Sequence, residues 1–233
     1  MSKIRIVANW KSNKSPDEAL QWLREFTNQT TKINIQQPIE VIICPPFIDL
    51  PFLNEEKAKL SLPFPLILGA QNVSPFENGS YTGEVSASQI QTLVSYSLVG
   101  HSERRKNFRE TNQEVLNKIK NLVKAGIRPI LCAQSLEEVP SEVKDFTSEQ
   151  ILIMFEPAKA ISTDGVYKAE SPETVKKTID LWKEKLGNYE YLYGGSVNET
   201  NCKDLLQSGV TGFVVGHASL SPSSFVGIIK NVE

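Results

Sequence analysis

Residues 189–215 read YEYLYGGSVNETNCKDLLQSGVTGFVV, and they contain the repeating unit of the whole chain. A short apolar run, Tyr189–Tyr193, is followed by a glycine turn, a segment predicted to be helical from near Asn198, and a second run, Gly212–Val215. The first run contains three Tyr residues and the second contains Phe and two Val residues, which are residue types that strands prefer. Their apolar residues are mostly consecutive rather than alternating, which is typical of parallel strands covered on both faces.

The same unit recurs about every 30 residues, the size of a βα unit. The runs that we interpret as strands are Ile4–Ala8, Ile39–Cys44, Leu66–Ala70, Ser97–Val99, Arg128–Cys132, Ile151–Phe155, Tyr189–Tyr193 and Gly212–Val215. Two α/β architectures fit this alternation, an open doubly wound sheet and a closed (β/α)8 barrel. Eight units in 233 residues favour the barrel, as a single domain over residues 1–233. No GxGxxG motif follows the first run, which argues against a dinucleotide-binding sheet.

The segments between the strands begin with recognisable helix starts. Ser15-Pro16-Asp17-Glu18 and Thr111-Asn112-Gln113-Glu114 have the form of capping boxes, with a hydroxyl at the N-cap and a glutamate three residues later. Ser171-Pro172 and Ser221-Pro222 repeat a serine–proline start, which suits the first turn of a helix.

Composition narrows the classes of function. Hydrophobic residues make up 40% and charged residues 22%, the balance of an ordinary globular protein. The net charge of −2 argues against a nucleic-acid-binding surface, which usually carries a basic face. The three scattered cysteines predict a reduced, cytoplasmic chain with half-buried thiols and no zinc spacing. No apolar run approaches the roughly 20 residues of a membrane helix, and the first apolar run is too short for a signal peptide.

Candidate functional residues follow the strands directly, where active sites of α/β barrels lie. They are Asn9 and Lys11 after the first run, His101 after the fourth, Glu156 after the sixth, Gly194-Gly195-Ser196 after the seventh, and Gly216-His217 after the eighth. An ammonium, an imidazole, a carboxylate and two glycine-rich turns are therefore expected on one rim. Backbone N–H groups at such turns are candidates for holding a phosphate.

The chemistry of these residue types suits proton transfer. Glu156 follows five apolar residues, and partial desolvation would make its carboxylate a stronger base. His101 precedes what reads as a helix N-terminus, whose positive end disfavours the imidazolium. A neutral imidazole can donate a hydrogen bond to a substrate oxygen, and Lys11 can offset an anionic substrate.

Each candidate also has a structural interpretation. The glycines can simply turn the chain, and Glu156 can be a solvated loop acid. A lone histidine is more often packed or exposed than catalytic, and Lys11 can be an ordinary surface lysine. Asn9 can merely turn the strand end. Residues expected to lack a catalytic role are Arg104 and Arg105 as solvated helix charges, Trp10 as packing, and Cys132 as a core thiol.

Seven motifs in order, at matching spacing over essentially the whole chain, resemble the triosephosphate isomerase family. They are Asn9-Trp10-Lys11, Gly69-Ala70-Gln71-Asn72, Tyr81-Thr82-Gly83-Glu84, Gly100–Arg105, Phe155-Glu156-Pro157, Tyr193–Val197 and Gly216–Leu220. The resemblance implies a homodimeric (β/α)8 barrel that interconverts dihydroxyacetone phosphate and glyceraldehyde 3-phosphate through an enediol, without a metal or cofactor. It also implies a place in glycolysis and gluconeogenesis.

The resemblance implies a role for each matching residue. Glu156 is the expected base and His101 the neutral electrophile, as in the established acid–base assignment for this enzyme. Lys11 and Asn9 are expected to bind substrate, and Ser102 and Glu103 to support the site. Ser162, Ser196, Gly216 and His217 match positions whose backbone N–H groups hold the phosphate. Thr82 matches the loop-tip residue that enters the partner subunit's site.

Several residues depart from the family pattern. Residues 158–165 are expected to form a moving lid over the site, and they have Lys159, Ser162 and Asp164 where the family usually has tryptophan and two glycines. His217 also replaces a glycine. The segment between Cys132 and Glu156 is short for the family, and we expect a helix of one or two turns there, interrupted at Pro140. These departures motivate an alternative, a non-catalytic phosphate-binding or scaffold protein on the same fold. A further alternative is another sugar-phosphate isomerase or epimerase, which usually needs a metal or a different acid–base pair.

Overall fold

The computed structural model describes residues 3–31, 33–158 and 169–232, and eight parallel strands within them form one closed barrel. The strands are β1 (Ile4–Asn9), β2 (Ile39–Cys44), β3 (Leu66–Ala70), β4 (Tyr96–Val99), β5 (Arg128–Ala133), β6 (Leu152–Phe155), β7 (Glu190–Tyr193) and β8 (Gly212–Val215). Strand β1 pairs with both β2 and β8, with Arg5 opposite Gly212 and Ala8 opposite Val215. That closure excludes the open doubly wound sheet and confirms the predicted (β/α)8 barrel.

The barrel has two apolar layers, and they explain the consecutive apolar residues of its strands. Val7, Ile42, Leu98 and Ile130 belong to a buried cluster that fills the interior. The residues between them belong to a second cluster, which packs the outside of the barrel against the helices. Because successive side chains of a strand point to opposite faces, both sets must be apolar.

Helices surround this barrel in sequence order. They are α1 (Pro16–Thr30), α2 (Leu50–Lys57), α3 (Ala87–Ile90), α4 (Ser102–Phe108), α5 (Asn112–Lys124), α6 (Pro172–Leu186), α7 (Cys202–Leu206) and α8 (Pro222–Asn231). The predicted starts of four of them are confirmed. Ser15 and Thr111 close complete capping boxes, and Ser171 and Ser221 accept backbone N–H groups of the first turns of α6 and α8.

The short helical unit expected between Cys132 and Glu156 is confirmed. The connection from β5 to β6, all of which is described, holds 3₁₀ turns at Leu136–Glu138 and Ser141–Asp145, and Pro140 separates them as the N-cap of the second turn. One helix prediction is wrong in detail. The helix expected from near Asn198 begins at Cys202, because Asn198 forms a turn in which its side chain accepts the backbone N–H groups of Thr200 and Asn201.

The three cysteines are free and completely buried, which corrects the expectation of half-buried thiols. Burial raises the pKa of the Cys132 thiol well above its ordinary value, with the nearby Glu156 charge adding to that shift. A thiol held protonated is a poor nucleophile. Cys132 therefore has the core role predicted for it. Among the described residues, no helix combines the length and the apolar character that crossing a membrane requires.

Asp49 is unusual for an acidic residue, because its side chain is completely buried. Its side chain is buried where the turn Phe47–Asp49 leads into α2, and neither carboxylate oxygen has a hydrogen-bond partner among the described residues. Burial raises the pKa of this carboxyl above its ordinary value. An acid with a raised folded pKa makes the folded state bind its proton more tightly. The contribution of Asp49 to the free energy of unfolding is therefore most favourable at low pH, where the carboxyl is protonated. That contribution is lost as pH rises through the raised pKa of the folded state.

We expect Asp49→Asn to raise the melting temperature at pH 8, because the variant has no charge to bury there. The gain should shrink at pH 5, where the wild-type carboxyl is closer to its neutral form. For a chain of this size, each ~1 kcal/mol corresponds to roughly 2–4 °C. Thermal unfolding of both proteins at the two pH values measures the effect. A variant less stable than the wild type at pH 8 would contradict the assignment.

Candidate active site

A pocket opens at the carboxyl ends of the strands, at the centre of the barrel. It is lined by Lys11 after β1, His101 after β4, Glu156 after β6, and the turns 194–197 and 216–218 after β7 and β8. Because all strands are parallel, their ends converge on this one rim. Folding therefore brings together three chemically active side chains that are far apart in sequence.

Glu156 and His101 are in direct contact. The Glu156 carboxylate is 2% exposed, and its Oε1 lies 3.3 Å from Nε2 of His101. Ser102 holds the same carboxylate twice: its hydroxyl donates to Oε1 at 2.6 Å and its backbone N–H donates to Oε2 at 3.0 Å. The interpretation of Glu156 as a solvated loop acid is therefore wrong. A buried carboxylate is tolerable here because it accepts several hydrogen bonds.

The surroundings of His101 determine where its proton lies. The residue is the N-cap of α4, and its Nδ1 accepts the backbone N–H of Glu103 at 3.3 Å. A neutral imidazole that accepts at Nδ1 carries its proton on Nε2. That nitrogen faces Glu156 and the pocket. The Nε2 N–H is therefore the ring donor that a ligand in the pocket can reach.

Lys11 is held in a strained conformation. Its φ is 53°, in the left-handed region that a lysine rarely adopts. Asn9 accepts the Lys11 backbone N–H at 3.2 Å, and Gln71 donates to the Lys11 carbonyl at 2.8 Å. The ammonium lies 2.6 Å from Oε1 of Glu103. These partners place the lysine charge beside the pocket and explain the strain as part of the site.

Glycine is required in the β7 turn by close packing. A side chain on Gly194 would collide with the sulfur of Met154, and one on Gly195 would collide with the hydroxyl of Tyr193. Neither residue has a positive φ. The same Tyr193 hydroxyl accepts the backbone N–H of Glu170 at 3.0 Å, so this turn is packed against the chain segment that enters α6. Ser196 follows the two glycines, is buried and lines the pocket.

The β8 turn accommodates a side chain where the family usually has glycine. His217 lines the pocket and begins the 3₁₀ turn His217–Leu220. The non-glycine residues with positive φ among those described are Lys11, Lys14 and Arg109. The φ of His217 is therefore not positive, so a non-glycine residue causes no backbone strain at this position. Its backbone N–H lies in the turn next to Gly216.

One predicted site residue lies outside the described part of the chain, and another is described but does not line this pocket. Ser162 falls in residues 159–168, outside the described part of the chain, as do Lys159 and Asp164. Thr82 lies in an exposed loop and does not line the pocket. Its expected place in a partner's site stays a prediction.

Comparison with known proteins agrees with this geometry. A model of the triosephosphate isomerase family matches residues 4–232. The chain belongs to the triosephosphate isomerase family. The family resemblance inferred from the seven motifs is therefore confirmed.

Curated triosephosphate isomerases align with nearly the full chain. The one from Dehalococcoides mccartyi is 37% identical over 99% of this chain and 97% of the relative. That from Mycoplasmopsis pulmonis is 34% identical over 98% of both chains, and that from Trichodesmium erythraeum is 35% identical over 99% of both. The family likeness therefore extends beyond the motifs to the complete barrel.

The expectation that two arginines near His101 are solvated helix charges is wrong. Arg105 is not solvated, because its guanidinium donates to the carbonyls of Gly100 and Glu138, both at 2.8 Å. Arg104 donates to Oε1 of Glu110 at 3.1 Å. Arg105 therefore holds the backbone before His101 directly, and Arg104 pairs with a carboxylate, which the local helical pattern does not reveal.

Glu110 is a supporting residue that sequence reasoning missed. Its Oε2 accepts the backbone N–H of Gly100, immediately before His101, at 3.1 Å. Its Oε1 accepts from Lys118 of α5, whose ammonium also donates to Asn72 at 2.7 Å. This buried pair links the His101 loop to α5 and to the loop after β3. The Gly69–Asn72 motif was a signal for Asn72, but nothing local marked Glu110 or Lys118.

Proposed function

We propose that this chain interconverts dihydroxyacetone phosphate and D-glyceraldehyde 3-phosphate, with Glu156 as the base and His101 as the electrophile. The observation that carries the proposal is the 3.3 Å separation of the Glu156 carboxylate and His101 Nε2 inside the Lys11 pocket. A base and a neutral N–H donor at that distance can serve adjacent carbons of one small substrate. The reaction belongs to glycolysis and gluconeogenesis.

Proton transfer follows from the positions of these groups. On substrate binding, the Glu156 carboxylate exchanges its Ser102 hydrogen bonds for the proton on the carbon next to the carbonyl. Negative charge then develops on the carbonyl oxygen, where the Nε2 proton of His101 stabilises it. Returning the proton to the neighbouring carbon, with proton exchange between the two oxygens, completes the isomerisation. Preorganised donors of this kind lower a barrier by several kcal/mol.

The remaining pocket groups suit the binding of a phosphorylated triose. We propose that the Lys11 ammonium offsets the negative charge of the substrate. We propose that Asn9 fixes the Lys11 backbone and also contacts the substrate. The turns that contain Ser196, Gly216 and His217 supply backbone N–H groups for phosphate, and we keep Ser162 as a further candidate. Glu103 anchors the lysine ammonium. Because the strand ends surround the pocket, the protein separates the inner part of a bound substrate from bulk water.

A coupled isomerase assay in both directions tests the proposal. Turnover that is insensitive to a chelator supports it over a metal-dependent sugar-phosphate isomerase. Binding of triose phosphate without turnover would instead select the non-catalytic alternative. We also propose a cytoplasmic location, which the three free thiols support. That residues 1–233 act as one domain is supported by the single barrel that the strands form.

We further propose a homodimer, because one face beside the pocket is suited to a second copy. A groove of about 370 Å³ is lined by Lys11, His101, Phe47 and Phe108. Ile48 and Phe108 are each 68% exposed, which is unusual for large apolar side chains outside an interface. The loop that carries Thr82 is exposed, and we assign it to the partner's groove.

We expect Thr82→Arg to weaken the dimer and to lower activity per chain by about tenfold or more. A tenfold loss corresponds to a rise of only ~1.4 kcal/mol in the activation free energy, which a small displacement of the site residues can cause. Sedimentation velocity and the coupled assay measure both effects. Thr31→Arg, at an exposed position after α1, is the matched control and should change neither property. Full activity from a Thr82→Arg monomer would contradict this role of the loop.

A further inference from the structure

The pocket has little positive side-chain charge for a doubly anionic phosphate. Lys11 is its one lysine or arginine among the described residues that line it. That ammonium is bound by Glu103 at 2.6 Å, and the Glu156 carboxylate lies in the same pocket. The three side chains together carry one positive and two negative formal charges. The backbone N–H groups proposed to hold the phosphate are neutral, so a dianion bound there gains from any further charge-assisted donor.

His217 is placed to supply such a donor. The turn that contains it packs beside Lys11, since a methyl group on Gly216 would lie 3.5 Å from the Lys11 Cε. His217 is the next residue, is exposed to solvent, and lines the same pocket. A histidine side chain commonly changes charge between about pH 5 and 8. In either state it carries at least one N–H donor.

We propose that the imidazole of His217 binds the phosphate end of the substrate alongside Lys11 and thereby sets the affinity for phosphorylated substrate. The inference deepens the proposed function and rests on it. A backbone N–H from this position requires no side chain, whereas the imidazole adds a second donor and, when protonated, a second positive charge. Phosphate affinity then depends on a group that the chemical steps do not use.

Other titratable groups near the turn must be separated from His217. Lys11, His101 and Glu156 share its pocket, and Glu103 is bound to Lys11. Lys14, which follows β1, donates to the carbonyl of Leu220 in the same 3₁₀ turn at 3.0 Å. Helix α8, which packs on the turn, has Lys230 near its far end. Substrate phosphate also titrates near pH 6.

These other groups are present in the wild type and in every variant. Their effects on the pH dependence of KM therefore cancel when the proteins are compared at the same pH. We expect His217→Ala to raise KM for glyceraldehyde 3-phosphate about fivefold to tenfold at pH 6, with kcat within about twofold, since the lost interaction is made equally in ground and transition states. The inhibition constant of inorganic phosphate should rise in parallel. His217→Gln keeps a donor without charge, so it should recover affinity at pH 8 but not at pH 6.

Ser223→Ala, at an exposed position in α8, is the control and should match the wild type throughout. Equal KM and equal phosphate inhibition for His217→Ala and the wild type at both pH values would overturn the inference. A fall in kcat at unchanged KM would also overturn it. Titration calorimetry with inorganic phosphate separates this inference from the proposed function. Even if the wild type shows no turnover, weaker phosphate binding by His217→Ala supports the inference, and equal binding rejects it.

Discussion

Replacing Glu156 with glutamine should lower kcat by about 10³-fold or more and change KM little. The amide keeps the size of the side chain and can still accept from Ser102, but it cannot take a proton from carbon. Removing a positioned general base typically loses a factor of 10² to 10⁴. The buried carboxylate in contact with His101 is the described group that is placed to act as that base. Steady-state kinetics in both directions measure the loss.

Two comparisons make this result specific to the base. Glu149→Gln changes an exposed glutamate just before β6 and should leave kcat unaltered. Glu156→Asp keeps the charge but withdraws the carboxylate by one methylene, so it should fall between the wild type and Glu156→Gln. Thermal unfolding shows whether the fold survives. If Glu156→Gln kept activity within about tenfold of the wild type, the assignment of the base would fail.

The positions of the candidate catalytic groups were predictable from the sequence because their signals are local. Lys11, His101 and Glu156 each lie within two residues of a strand end, and the parallel topology places all such positions on one rim. Helix starts were predictable for the same reason, since a capping box spans four residues. The strand bounds of β2, β3 and β8 also match. The runs of β3 and β8 contain no charged residue and are followed by Gln71 and Gly216, and the run of β2 ends before Pro45 and Pro46.

The features that the sequence did not predict depend on contacts between residues that are far apart in the chain. Arg105 reads as an exposed helical charge, yet its partners include Glu138, 33 residues away, in the shortened fifth unit. The glycines after β7 are conformationally ordinary, and only the packing of Met154 and Tyr193 explains why side chains are excluded there. The strained φ of Lys11 likewise depends on Gln71, which follows a different strand. No local pattern contains such information.

The buried pair of Glu110 and Lys118 leads to a second large effect, on stability. Both side chains are almost completely buried, and burial lowers the pKa of Lys118 while Glu110 opposes that shift. Glu110→Ala leaves a buried ammonium without its counter-charge, which should cost about 3–5 kcal/mol. For this chain length that corresponds to a fall in melting temperature of roughly 6–20 °C. Urea and thermal unfolding measure it.

Restoring neutrality should rescue the fold. We expect Glu110→Leu combined with Lys118→Met to recover most of the lost stability, because apolar residues of similar volume can replace a buried ion pair. Glu77→Ala breaks an exposed ion pair with Lys124 and should change stability by less than about 0.5 kcal/mol. The double variant should still be less active than the wild type, since Gly100 loses the carboxylate that holds its N–H next to His101.

The pH dependence gives an independent test of the same pair. Without Glu110, the pKa of Lys118 in the folded state falls further below its unfolded value, so the folded state binds fewer protons. Stability then increases as pH rises from the lowered folded pKa towards the unfolded one. The deficit of Glu110→Ala should therefore shrink between neutral and alkaline pH, measured relative to the wild type. A deficit independent of pH would mean that lost packing, rather than an uncompensated charge, destabilises the variant.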